Sequence, residues 1–372
     1  MVNAHIATQE YKDLSSRLHA KGHSQQKVVK AEIELTYSCN LHCVHCYTDC
    51  YNRADLVRER ELSYEQIVRI LDQLHAEGVL WVCFTGGEIF MRKDFRDIYR
   101  YARQKGFLIT LFTNATLITG RIADYLKAHP PFKIDISLHG ITQETYERVT
   151  QVPGSFKRCM EAIRRLLDRG LPVDIKTSAL SVNKHELGKI KEFVEGLGLR
   201  FRLSTAIYPR LNGDPTPTLF RLSPDEIVEM DFPERDVETE APHCEPSAHL
   251  PSGPPPDDRL YRCGCGTGSV HISAWGELGT CTWQHQVRAD LREKSLAEGI
   301  AEVFPRIRAA RYRSNSPCRS CHVYQLCDKD PNIAWAETHE PEGPVEHFCQ
   351  TAFKRAARLN AQLAAARPLH DG

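Results

Sequence analysis

Between residues 30 and 205, apolar runs of strand length alternate with segments of helical spacing, and no other feature limits the fold as tightly. The runs AEIELTY (31–37), LWVCFT (80–85), FLITLFTN (107–114), FKIDISLH (132–139), PVDIKTSAL (172–180) and RFRLST (200–205) read as strands. Helical patterns fall between them, over 65–78, 95–106, 119–129, 142–149, 155–169 and 184–198. The first two stop at Gly78 and Gly106, as helices commonly do. About six strand–helix units predict an α/β architecture built on parallel strands. A doubly wound sheet and an open barrel both meet that pattern.

Outside this block the character changes. Residues 1–28 read as a short polar helical extension, and 29–222 hold the repeating units. Eight acidic residues between Asp225 and Glu240, followed by PSGPPPDD (251–258), read as an exposed linker over 223–260. A cysteine-rich region follows over 261–352, and residues 353–372 form a tail rich in strong helix formers.

Lysine plus arginine equals aspartate plus glutamate at 48 each, so nothing in the charge balance draws the chain to nucleic acid or an anionic membrane. The N-terminus has no apolar signal core, and no run of about 18 apolar residues occurs. These features predict a cytoplasmic protein. Of its 14 cysteines, eleven gather at 39–50 and 263–349 rather than spreading as in a small disulfide scaffold, so these groups read as metal-binding.

The first group is CNLHCVHCY (39–47), placed just after the first strand. In barrels of parallel strands the active site lies at the strands' C-terminal ends. Three thiolates can hold three irons of a cubane and leave the fourth open, whereas structural zinc takes a closed set of four. The segment resembles the signature of the radical SAM superfamily. That resemblance implies a partial (β/α)6 TIM-type barrel with a 4Fe–4S cluster on Cys39, Cys43 and Cys46. It further implies that the open iron binds S-adenosylmethionine, which one electron cleaves to methionine and a 5′-deoxyadenosyl radical. The radical then abstracts hydrogen from substrate.

Two further segments agree. FTGGE (84–88) resembles the family's motif for the methionine amino group, which assigns Gly86, Gly87 and Glu88 to cofactor binding. ISLHG (136–140) resembles its serine-containing stretch, which assigns Ser137. Arg148 matches the place of an arginine that reaches the methionine carboxylate, although a solvated helix face would also accept an arginine there. Asn114, ending the third strand, is a candidate wall of the pocket.

The second group contains WGELGTC (275–281), CRSCHVYQLC (318–327) and EHFC (346–349), with Cys263 and Cys265 upstream. Taken alone, its paired cysteines would also suit a zinc ribbon. The combined spacing resembles a SPASM domain, which implies one or two auxiliary 4Fe–4S clusters. Cys318, Cys321, Cys327 and Cys349 make up a full distal set. The proximal set has Cys281 with Cys263 or Cys265 or both, and Pro331 stands where the family has a further cysteine. An open iron, a ligand borrowed from Cys244 or Asp330, or loss of the cluster would each follow from that departure.

The resemblance implies an enzyme that modifies a ribosomally made peptide or a protein side chain, with an electron donor such as a flavodoxin or ferredoxin. Many peptide maturases carry a leader-recognition domain before the barrel. About 28 residues precede the first strand here, so a separate recognition protein is expected to present the peptide. The alternatives are a sulfatase active-site residue or a tetrapyrrole as substrate, and a metal-binding scaffold without activity. No catalytic acid or base can be assigned; Lys176, His139 and Ser178 are notable only for their position at strand ends.

Overall fold

The computed structural model describes residues 11–51, 59–232, 255–264 and 266–365. Six parallel strands lie side by side: β1 (Lys30–Thr36), β2 (Trp81–Gly86), β3 (Leu108–Thr113), β4 (Lys133–Ser137), β5 (Val173–Ser178) and β6 (Phe201–Ser204). After helix α1 (Tyr11–Gln25), the helices between strands are α2 (Tyr64–Ala76), α3 (Phe95–Gln104), α4 (Gly120–Ala128), α5 (Gln143–Thr150), α6 (Ser155–Leu167) and α7 (Leu187–Gly196). Strand order follows chain order from β1 to β6 without reversal. A doubly wound sheet reverses its order at a switch point, so the fold is the partial (β/α)6 barrel.

Alternation along each strand sorts the side chains. Ala31, Ile33 and Leu35 of β1, Val82 and Phe84 of β2, and Ile134 and Ile136 of β4 are buried in one core with the helices. Their neighbours Glu32, Glu34, Cys83, Thr85, Asp135 and Lys176 fall on the opposite face by the two-residue period of a strand. The outer face is therefore apolar, and the inner face carries the polar chemistry. Helix starts are fixed locally: Ser63 and Gln66 form a reciprocal capping box at α2, and Thr119 caps α4.

The expected linker is corrected at its start. Pro224–Asp231 forms a helix, α8, with Pro224 in its first turn and a capping box between Ser223 and Glu226. Acidic residues early in a helix favour its N-terminal dipole, so Asp225 and Glu226 support helix here. The remainder of that segment, 233–254, lies outside the described residues, as does the Cys244 within it.

The cysteine-rich region does not stand apart from the barrel sheet. Strand β7 (Ser269–Ile272) pairs in parallel with β1, and β8 (Glu277–Gly279) and β9 (Ala289–Asp290) continue the sheet antiparallel. Helices α9 (Leu296–Ala309), α10 (Pro331–Thr338) and α11 (Glu346–Ala365) follow. Among the described residues no helix is long and apolar enough to cross a membrane.

Candidate cofactor and cluster site

The loop carrying Cys39, Cys43 and Cys46 leaves the C-terminal end of β1 and is held from both sides. The His42 and Val44 amides donate to the carbonyls of Thr150 and Val149 at 3.0 and 2.9 Å, tying the loop to the end of α5. Beyond the last cysteine, Asp49 pairs with Arg210 at 2.6 Å, and the Leu211 amide donates to the Tyr47 carbonyl at 3.0 Å. Arg210 and Asp49 carry no family signature in sequence, yet they fix where the cysteine loop ends.

Gly86 and Gly87 are required by contact. A Cβ on Gly86 would stand 2.2 Å from the Thr36 carbonyl oxygen, and one on Gly87 2.3 Å from that of Ser38. Only glycine lets the β2 turn press against the strand that leads into the cysteines. The Gly87 and Glu88 amides use that closeness, donating to the Thr36 and Ser38 carbonyls at 2.7 and 2.9 Å.

Glu88 is fully buried, and its carboxylate accepts from Thr113 Oγ1 at 2.7 and 2.9 Å, the Asn114 amide at 2.8 Å and the Phe90 amide at 3.2 Å. Burial outweighs these bonds and pushes its pKa up to about 7. A carboxylate so surrounded braces the ends of β2 and β3. The backbone of half-buried Gly86 and Gly87 is the part of the turn left open to a ligand.

Asn114 extends the brace to the first cysteine. Its Nδ2 donates to Asn40 Oδ1 at 3.1 Å and lies 3.7 Å from Cys39 Sγ, while its Oδ1 accepts from the Thr116 amide at 2.9 Å. Ser137 stands half-buried at the last position of β4, in register with Lys176 of β5. Arg148 is about half exposed and bonds Glu144 at 3.0 Å along α5. Contact with a cofactor carboxylate would require that surface pair to break.

Three side chains at the inner strand ends share one environment. The rings of His45 and His139 meet edge to face at 4.6 Å, and Lys176 Nζ sits 3.5 Å above the Phe112 ring. Burial, then the charge of Lys176, holds His45 down at about 4. The Ser178 amide donates to His139 Nδ1 at 3.3 Å, so Ser178 and His139 support each other.

The thiols suit a cluster rather than a lone thiol's chemistry. Burial pushes Cys39 up to about 12, with Glu88 and then Cys46 adding to it, and Cys43 is raised by burial, Cys46 and Cys39. Thiols within one another's field deprotonate together only against a compensating positive charge, which bound iron supplies. Among the described residues no three His, Cys, Asp or Glu side chains converge as ligands of one metal ion. A cubane asks for a wider arrangement, because each thiolate takes its own iron.

The second group shows the same crowding. Cys349 is raised by burial and then by Cys318 and Cys321, and Cys327 is pushed up to about 12 by burial, with Cys349, Asp328 and Cys318 adding. Cys327 Sγ lies 3.9 Å from the carbonyl of Phe348, the residue that precedes Cys349. Cys281 lines a cavity of about 220 Å³ with Glu32, His271 and Trp283, and accepts a 3.8 Å contact from Asn332 Nδ2. Cys263 is exposed, and Cys265 lies outside the described residues. Pro331 opens α10, where its missing N–H costs nothing, and Asp330 caps that helix by accepting from the Asn332 and Ile333 amides at 2.7 and 3.0 Å. That cap occupies Asp330, one of the two residues considered as a substitute fourth ligand.

Comparison with known proteins agrees with this geometry. Residues 33–195 match the family model described as the Radical SAM superfamily. The chain is 26% identical to the AdoMet-dependent heme synthase of Methanosarcina barkeri, over 82% of this chain and 91% of that protein. It is 28% identical to the antilisterial bacteriocin subtilosin biosynthesis protein AlbA of Bacillus subtilis, over 68% of this chain and 54% of that protein. The fold resembles Streptococcus suis SuiB bound to S-adenosylmethionine, with a TM-score of 0.66 and 19% identity over 93% of this chain and 84% of that one. SuiB has also been solved bound to its precursor peptide SuiA. With a matching family model over the barrel, a cysteine loop at the end of β1 and a glycine turn packed against it, this chain is an enzyme of the radical SAM superfamily, using a 4Fe–4S cluster and S-adenosylmethionine.

Proposed function

We propose that this enzyme modifies a ribosomally made peptide or a protein side chain by hydrogen abstraction. Cys39, Cys43 and Cys46 hold the radical cluster, and Cys318, Cys321, Cys327 and Cys349 hold a distal auxiliary cluster. The bound cluster and S-adenosylmethionine together supply the 5′-deoxyadenosyl radical. Gly86 and Gly87 seat the methionine end, and Glu88, Thr113 and Asn114 keep that seat in register with Cys39. Ser137 and the His45–His139 pair line the strand ends where the substrate enters. The partners in this reading are a separate small protein that presents the peptide and a flavodoxin or ferredoxin that supplies electrons.

The observation that supports the reading is a cysteine-rich region whose strand β7 pairs with β1 of the radical SAM barrel and which brings Cys327 against the residue before Cys349, together with the likeness to AlbA. A second reading, a tetrapyrrole substrate, is favoured by the heme synthase match, which spans 91% of that relative.

Iron and sulfide per chain after anaerobic reconstitution test the cluster part. The Cys39/Cys43/Cys46→Ala variant should lose about four irons and retain about four or more. Zinc in the second group would remove the support for a maturase. Incubation with short peptides encoded beside the gene, against an iron-containing haem precursor, decides the substrate. Mass change in a peptide supports the first reading, and change only in the tetrapyrrole supports the second.

A further inference from the structure

The two cysteine groups are joined by aromatic rings. Tyr47 directly follows Cys46, and its ring lies 5.4 Å from that of Trp283 between centroids. Trp283 meets Tyr208 edge-on at 5.1 Å, and Tyr208 lies 6.1 Å from Phe348. Phe348 directly precedes Cys349, and Cys327 Sγ points at the Phe348 carbonyl at 3.9 Å. Each spacing is that of rings in packing contact. Among the described residues no other run of ring contacts connects the two groups.

Ordinary core packing would account for one or two such contacts. It does not account for both ends of the column being peptide-bonded to candidate cluster ligands. Nor does the column belong to the main core: Tyr208, Trp283 and Cys327 pack on a small separate cluster of Ile333, Ala334, Val345 and Phe348. The Tyr47 hydroxyl is fixed by donating to Glu34 at 3.2 Å, and the Tyr47 carbonyl accepts from Leu211. The column is thus pinned at the radical-cluster end and embedded in apolar side chains at the other. Two members of the cluster it packs on, Ile333 and Ala334, lie two and three residues after Pro331.

We propose that Tyr47, Trp283, Tyr208 and Phe348 form the path by which one electron passes between the distal auxiliary cluster and the cluster on Cys39, Cys43 and Cys46. Successive rings at 5.4, 5.1 and 6.1 Å between centroids offer the electron a line of side-chain contacts to tunnel along. This rests on the cluster assignments above and is independent of the substrate. Cleavage of S-adenosylmethionine would break one carbon–sulfur bond, giving methionine and a 5′-deoxyadenosyl radical, and would take one electron from the radical cluster. A previously reduced distal cluster returns that electron through the column and is itself oxidised by one.

The test uses the full, anaerobically reconstituted chain without peptide. Both clusters are reduced with dithionite, the reductant is removed, and dilute enzyme is mixed with S-adenosylmethionine and freeze-quenched. Electron paramagnetic resonance follows the distal signal while released methionine, one per electron delivered, is counted. Wild type should yield a second equivalent of methionine as the distal signal decays. Trp283→Leu should lose both that decay and the second equivalent, and Trp283→Phe should keep them. If Trp283→Leu decays like wild type, or if the wild-type distal signal persists, the path is overturned. Should Trp283→Leu fail to fold or lose iron, Tyr208→Leu is measured in the same way, with wild-type decay again overturning the proposal. A wild-type chain lacking the distal irons defeats the cluster assignment and the path together, and the iron count reveals that before mixing.

Discussion

Thr113 Oγ1 lies 2.7 Å from one oxygen of Glu88 and 2.9 Å from the other, so a single hydroxyl at the end of β3 spans the carboxylate that closes the Gly-Gly-Glu turn. Thr113→Val keeps the shape and removes the donor. It should cost about 1–3 kcal/mol, because a buried carboxylate loses a partner. Chemical unfolding of the reconstituted protein reads the change. S-adenosylmethionine affinity should fall with it, since the turn seats the cofactor.

Glu88 also predicts a pH dependence. Its pKa is raised in the fold from 4.5 to about 7, so the folded state holds its proton more tightly than the unfolded chain. Its contribution to stability is complete below about 4.5 and is lost as pH rises through about 7. Unfolding midpoints measured between pH 5 and 8 without S-adenosylmethionine should fall with rising pH in wild type. In Glu88→Gln that part of the slope should vanish.

Gly87→Ala places a methyl group 2.3 Å from the Ser38 carbonyl oxygen, one residue before Cys39. The cysteine loop must then move. The expected result is loss of the radical cluster's iron with the auxiliary iron retained, read by iron analysis. Gly120→Ala, where a Cβ meets nothing within 4 Å, is the control and should bind iron as wild type does.

Glu186 holds the loop that follows β4. It accepts from the Ile141 amide at 2.7 Å, the Thr142 amide at 3.2 Å, and the hydroxyls of Thr142 and Thr145 at 2.5 and 2.8 Å. Glu186→Ala removes the acceptor from four donors, of which the Thr145 hydroxyl is buried, and should destabilise the protein by about 1–3 kcal/mol. Glu186→Gln, which keeps an acceptor, should recover part of that loss in the same unfolding measurement.

Arg148 gives the opposite expectation. Its guanidinium is spent on an exposed pair with Glu144, and such pairs are worth about 0–1 kcal/mol. Arg148→Ala should leave both stability and S-adenosylmethionine affinity near wild type. A large loss of affinity in calorimetry would restore the cofactor role that its sequence position suggested.

The barrel was legible because strand and helix periods are local, and each unit between 30 and 205 carries its own. The cysteine loop and the glycine turn were legible because their spacing is nearly contiguous. What escaped was non-local or competed with a stronger local impression. Asn40 reveals its contacts with Asn114 and Thr116 only once the loops leaving β1 and β3 meet at the end of the sheet, with β2 between those strands. At 224–231 the acidic run suggested loop, although Ser223, Pro224 and Glu226 already spelled a helix start. Arg148 was undecidable because a ligand arginine and a surface arginine look alike on a helix.

The parallel pairing of β7 with β1 has a consequence for dissecting the molecule. A fragment ending before residue 255 would strip β1 of its neighbour and leave an open row of amides and carbonyls along Lys30–Ile33, a ready template for self-association. The cysteine-rich part is thus the barrel's own hem. An attempt to express the catalytic half alone should yield aggregates, however complete its cysteine loop.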